Sequence, residues 1–149
     1  MPGSSKSFLF PDVNVWIALT YAGHTRHQAA VSWFSTIDSE ARLCFCRFTQ
    51  ISFLRLLTTE AAMGRGDVLG QADAWKAYDQ WLADDRVSLL AEPSGLDREF
   101  RLLTKQDAPA PKQWADAYLS AFASVAGLTL VTFDQGFRGK AKNIQLLPT

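Results

Sequence analysis

The chain has 149 residues, 48% hydrophobic, with 15 Lys and Arg balancing 15 Asp and Glu. That is enough apolar mass for one domain with a full core and no covalent staples, and the balanced charge excludes a bulk polybasic nucleic-acid binder while leaving room for a local basic groove. No apolar run approaches the roughly 20 residues of a membrane span, and MPGSSKSFLF lacks the apolar stretch of a signal peptide.

In chain order, SFLF (7–10) reads as a short buried strand ended by Pro11. Asp12 follows, then a helix over 13–21 that Gly23 breaks. A second helix spans 24–37, with Ala29, Ala30, Trp33, Phe34 and Ile37 at helical spacing. RLCFC (42–46) is a second strand. Its Cys44 and Cys46 are expected on opposite faces, unbonded to each other, as reduced thiols of a cytosolic protein. Thr49 reads as the N-cap of a helix to about 62. GRGDVLG (64–70) is a loop and no P-loop, because no Gly-Lys-Ser/Thr follows. A Trp-rich helix over 70–83 precedes a strand at 86–90 and a helix that Ser94 caps. After a Pro-rich loop (105–112), a helix runs from 112 to 126, and LTLVT (128–132) is the clearest strand. IQLL (144–147) closes the series. Strands alternating with helices predict an α/β domain over 1–149 with a mostly parallel sheet.

Three aspartates occupy similar places. Asp12 follows the first strand, Asp134 lies two residues past LTLVT, and Asp116 is early in the helix between. Ligands of open parallel sheets bind beyond the carboxyl ends of strands, where strand order reverses. Neighbouring strands would bring Asp12 and Asp134 together, with Asp116 joining from the helix. Clustered carboxylates repel and call for a cation, and oxygen-only ligands suit Mg²⁺ or Mn²⁺. Each residue also has a plain role: Asp12 as a helix cap, Asp116 as the complement of a helix dipole, Asp134 as turn chemistry.

The pieces LFPDVNVWIAL, HTRHQAAVSWF, RFTQISFLRLLT and WADAYLSAFASVAGLTLVTFDQGF, in this order and spacing, cover nearly the whole chain. Their succession resembles the PIN-domain ribonucleases, in particular the VapC toxins of bacterial toxin–antitoxin pairs. The resemblance implies a PIN-domain fold with a central parallel sheet flanked by helices. It implies Mg²⁺-dependent endonucleolytic cleavage of RNA, with Asp12, Asp116 and Asp134 as catalytic metal ligands. Asn14 then matches a small polar position that hydrogen-bonds a carboxylate, and Thr132 a hydroxyl near the last acid. A cognate VapB-type antitoxin, a homodimer and a cytoplasmic location are expected with it.

One departure stands out. Many PIN domains carry a glutamate on the helix after the second strand, whereas TQISFLRLLTTEAA has Gln50 and Arg55 in that region and Glu60 well down the helix. Fewer carboxylates imply weaker or single-metal binding, or Gln50 as a neutral ligand. The same departure motivates a rival, a non-catalytic PIN-like module that binds RNA or protein. A phosphotransfer domain using Asp12 is disfavoured, because Asn14 stands where a second aspartate is wanted. Arg55, Arg138 and Lys140 are candidate RNA contacts. His24 and His27 lack the further ligands of a metal site. Trp75, Tyr78 and Trp81 are expected to form, with the 49–62 helix, a groove for the antitoxin or a dimer contact.

Overall fold

The computed structural model describes residues 7–149. Five strands, β1 (Phe8–Pro11), β2 (Arg42–Phe45), β3 (Val87–Leu89), β4 (Thr129–Thr132) and β5 (Ile144–Leu146), form one sheet in the order β3-β2-β1-β4-β5. Every neighbouring pair is parallel, as the α/β reading requires. The helices are α1 (Val13–Thr20), α2 (His27–Ser35), α3 (Arg47–Leu57), α4 (Glu60–Met63), α5 (Gln71–Leu82), α6 (Leu96–Leu103) and α7 (Trp114–Ala126). None is long and apolar enough to cross a membrane. The leading MPGSSK, part of the segment tested as a signal peptide, lies outside the described residues.

Alternate strand residues serve two cores. Leu9, Leu43, Phe45 and Val131 pack with α1, α2, α3 and α5, and Trp16 of α1 stacks on Phe45 at 4.1 Å between ring centroids. Phe10, Cys44 and Leu130 pack with α6 and α7, where Phe10 stacks on Phe122 at 5.0 Å. Both faces of the sheet are covered, which is why the strands read as continuous apolar runs.

Several local expectations are corrected. Cys44 and Cys46 are both buried on the α6–α7 side, because residues two apart on extended chain share a face; both are free thiols. Pro11, expected to follow the strand, is itself the last residue of β1, in register with Val131. The N–H that proline lacks would point toward β2, and the β1–β2 register stops at Leu9. Cys46, not Thr49, is the N-cap of α3. Gly95, not Ser94, precedes α6, at a φ of 92° that glycine adopts without strain. The helix expected to reach residue 62 stops at Leu57, where Thr58 and Thr59 turn their hydroxyls back onto the carbonyls of Leu54 and Arg55. Residues 24–26 form a turn before α2, and 111–113 form a single 3₁₀ turn before α7.

The chain builds β1, β2 and β3 outward in one direction, then returns to lay β4 on the other side of β1. The carboxyl ends of β1 and β4 therefore flank the point where strand order reverses, the usual ligand crevice of such a sheet.

Candidate active site

Asp12 leaves β1 at this crevice and caps α1 at the same time. Its Oδ1 accepts the N–H of Val13 at 2.6 Å, and its Oδ2 accepts the hydroxyl of Thr132 at 3.0 Å. Its own N–H stays in the ladder, donating to the carbonyl of Val131 at 2.8 Å. The residue is only 6% exposed. Burial raises its carboxyl above the usual range; the bonds from Thr132 and Val13 pull it down, and the charges of Asp116 and Asp134 push it up.

Thr132, the last residue of β4, is fully buried and links two acids. Its hydroxyl donates to Asp12 and accepts the N–H of Asp134 at 3.0 Å. Asp134 is exposed, and its Oδ1 accepts the N–H of Gly136 at 2.8 Å. A Cβ at Gly136 would lie 3.0 Å from that same oxygen, so the close approach depends on glycine. The capping and turn roles foreseen for Asp12 and Asp134 are real and use one oxygen of Asp134, leaving the other unengaged among the described residues.

Asp116 sits in the first turn of α7, half-buried. Burial raises its carboxyl, the charge of Asp134 adds to this, and Lys140 opposes it. It lines a cavity of about 250 Å³ with Leu103, Gln113, Ala117, Ser120, Gly139 and Lys140. Ser120 lies one turn further along α7, 1% exposed, with its hydroxyl unpaired among the described residues. Sequence reasoning missed Ser120: in an apolar helix it reads as one more small residue, and only the spacing of four from Asp116 pointed to it.

The three carboxylates thus feel one another's charge, with Asp12 and Asp134 tied through Thr132. Among the described residues, no three His, Cys, Asp or Glu side chains gather closely enough to grip one ion directly. The donors here are oxygens alone, and Mg²⁺ takes one or two carboxylates with water and substrate phosphate rather than an all-protein cage. The donor set fits that ion.

Other candidates fall elsewhere. Asn14 is exposed on α1 and bonds no carboxylate among the described residues; Thr132 and the Val13 amide take that role. Gln50 is buried, and its Oε1 accepts Arg47 at 2.6 Å, so it is already engaged. Arg55 lines a hollow between α3 and α5 rather than the Asp116 cavity. Arg138 is exposed and donates to Gln135. Glu60 begins α4 and pairs with Arg65 at the surface. His27 bonds the carbonyl of Ala18 and His24 accepts the Arg26 N–H, both local roles.

A family model described as the PIN domain matches residues 9–143. Ribonuclease VapC41 of Mycobacterium tuberculosis is 45% identical over 132 residues, covering 87% of this chain and 90% of the relative. Ribonuclease VapC38 of the same organism is 31% identical over 131 residues, covering 84% of each chain. Among solved structures, M. tuberculosis VapC20, described as a sarcin-ricin loop cleaving toxin, superposes with a TM-score of 0.69 at 19% identity, covering 94% of this chain and 99% of that one. VapBC2 from Rickettsia felis, bound to promoter DNA, gives 0.65 at 9% identity, with coverage of 94% and 98%. At these identities the solved structures establish the fold alone. The family match spans nearly the whole chain and the first relative is close: the chain belongs to the PIN domain family, and within it to the VapC group.

Proposed function

We propose that the protein is a Mg²⁺-dependent endoribonuclease of the toxin type, cleaving RNA phosphodiester bonds and neutralised by a cognate VapB-type antitoxin. The observation that carries the proposal is the Thr132 hydroxyl joining Asp12 to Asp134 at the β1–β4 crevice, with the charge of Asp116 close enough to act on Asp12. The names of the VapC relatives support it independently.

One or two of Asp12, Asp116 and Asp134 would bind Mg²⁺, or Mn²⁺ in its place, directly and the rest through its water shell, and the ion would supply positive charge for the phosphate and polarise water for attack. Thr132 fixes the Asp12 carboxylate by donating to one oxygen. Gly136 fixes Asp134 in the same way through its N–H. Lys140, beside Asp116, offers a cation to a phosphate oxygen, and Arg138 lies on the same turn. Gln50 is no ligand in this scheme, because Arg47 already occupies its carbonyl oxygen.

The test is RNA cleavage by the purified protein with Mg²⁺, Mn²⁺ or EDTA. Cleavage needs the cation and is abolished by Asp12→Ala, Asp116→Asn or Asp134→Ala, each folded, and growth inhibition on expression disappears with it. Wild-type cleavage by Asp116→Asn defeats the site assignment. Absence of any cutting across a panel of structured RNAs, by folded protein free of antitoxin, moves the function to the non-catalytic binding module.

A further inference from the structure

Trp114 stands two residues before Asp116 and is 56% exposed. It belongs to neither core. One neighbouring ring braces it: Phe100 meets it edge-on, with centroids 6.0 Å apart and planes at 77°. A lone exposed ring is ordinary; this one is singled out by the hollows it lines.

The surface around it adjoins the Asp116 cavity. A hollow of about 380 Å³, lined by Thr104, Gln106, Pro109, Gln113 and Trp114, shares Gln113 with the Asp116 cavity. A second hollow of about 410 Å³ lies between Trp114, Phe100 and Arg101. Cations lie on both sides of the indole: Lys140 lines the Asp116 end, and Arg101, engaged by Asp97 at 2.7 Å, lines the hollow beside Trp114. An aromatic face with cations on either side, next to a phosphate-cutting site, is the recognition chemistry of an unpaired nucleobase with its phosphates.

We propose that Trp114 is a stacking platform for one unpaired base flanking the scissile phosphate. This rests on the ribonuclease function proposed above and adds a base subsite to it. Trp114 touches substrate without touching the reacting atoms, so it sets affinity and substrate class and leaves the metal chemistry alone.

The experiment compares Trp114→Ala and Trp114→Phe with wild type on an RNA hairpin cut in its loop, with single abasic nucleotides placed in turn around the cut. Trp114→Ala lowers kcat/KM by about 5- to 150-fold, the range that base–aromatic stacking accounts for, while Trp114→Phe keeps most of the rate. One abasic position costs wild type a similar factor and costs Trp114→Ala nothing further, because the two changes delete the same contact. Wild-type kcat/KM for Trp114→Ala, or equal abasic penalties in both proteins, overturns the platform. Should wild type cut no RNA, the ribonuclease function fails separately. The platform is then judged by binding of a fluorescent unpaired oligonucleotide, and equal affinity of wild type and Trp114→Ala overturns it. So does a loss of antitoxin affinity in Trp114→Ala with RNA binding unchanged.

Discussion

At the scale of single residues, the hydroxyl of Thr132 has one proton and gives it to Asp12, while a lone pair takes the Asp134 N–H. Thr132→Val keeps the shape and deletes both bonds. Partners that orient metal-binding carboxylates typically carry about 10- to 100-fold in metal affinity or activity, and a loss of that size is expected in Mg²⁺-dependent cleavage. A variant cutting at the wild-type rate would show that Asp12 needs no such brace. Asp12 also carries a stability prediction. Its folded carboxyl is raised above the unfolded one, chiefly by burial. Stability from this group is therefore highest below the unfolded pKa and falls as pH rises through the folded pKa. Without metal at pH 7, Asp12→Asn should melt at a higher temperature than wild type, with the gap closing on acidification. A lower Tm for the variant across that range would refute the linkage. The places of the three aspartates in the fold were legible because each sits at a strand exit or helix start, positions that sequence periodicity locates well. Asn14 was misjudged, since its place on the first turn of α1 turns it to solvent. Ser120 was missed because its one signal, a spacing of four from Asp116, gains meaning only once the neighbouring cavity is known.

At the scale of elements, α3 is held at its start by an inverted arrangement. The N–H of Cys46 donates to the hydroxyl of Thr49 at 2.9 Å, three residues along. Sequence reading placed the cap at Thr49 because threonine is a favoured N-cap; here the same hydroxyl works backwards from inside the first turn. Thr49→Ala leaves the buried Cys46 N–H without this partner and should cost about 1–2 kcal/mol, with Thr49→Ser restoring most of it; denaturant melts decide. The adjoining strand makes its own prediction. Both thiols lie under α6 and α7, and burial pushes Cys44 up to about 12. Native protein should resist alkylation at neutral pH and label only when unfolded. Rapid native labelling would mean that this core opens locally. Element order and type followed from the alternating apolar runs. Boundaries slipped where side chains compete with the backbone, as at Thr58 and Thr59, or where a 3₁₀ turn imitates helix, as at 111–113.

At the scale of the whole molecule, the aromatic helix α5 divides between core and surface. Trp81 donates its Nε1–H to Thr20 at 2.8 Å and packs between Trp16 and Phe34, and Tyr78 is buried. Only Trp75, 47% exposed, remains for a partner, with Ile51 of α3 at 54%. Residues three apart fall about 60° short of a full helical turn, so a run of three such rings drifts from solvent into the core, which spacing alone does not reveal. Ile51, Leu54, Arg55, Ala74 and Trp75 line a hollow of about 340 Å³ between α3 and α5. This groove would suit an amphipathic helix of the proposed antitoxin, with apolar anchors on Ile51 and Trp75 and an acid on Arg55. Trp75→Glu puts an unpaired charge at the centre of that contact and should weaken antitoxin binding by about 30-fold or more. RNA cleavage by the free protein should stay at the wild-type level, since the groove shares no lining residue with the Asp116 cavity. Titration with antitoxin, with the mass of the free protein measured in solution, separates the outcomes. Lost antitoxin affinity at unchanged mass assigns the groove to the antitoxin. A dimer reduced to monomer with antitoxin affinity intact assigns it to a second copy of the chain. If neither changes, the exposure of Trp75 and Ile51 has no part in assembly.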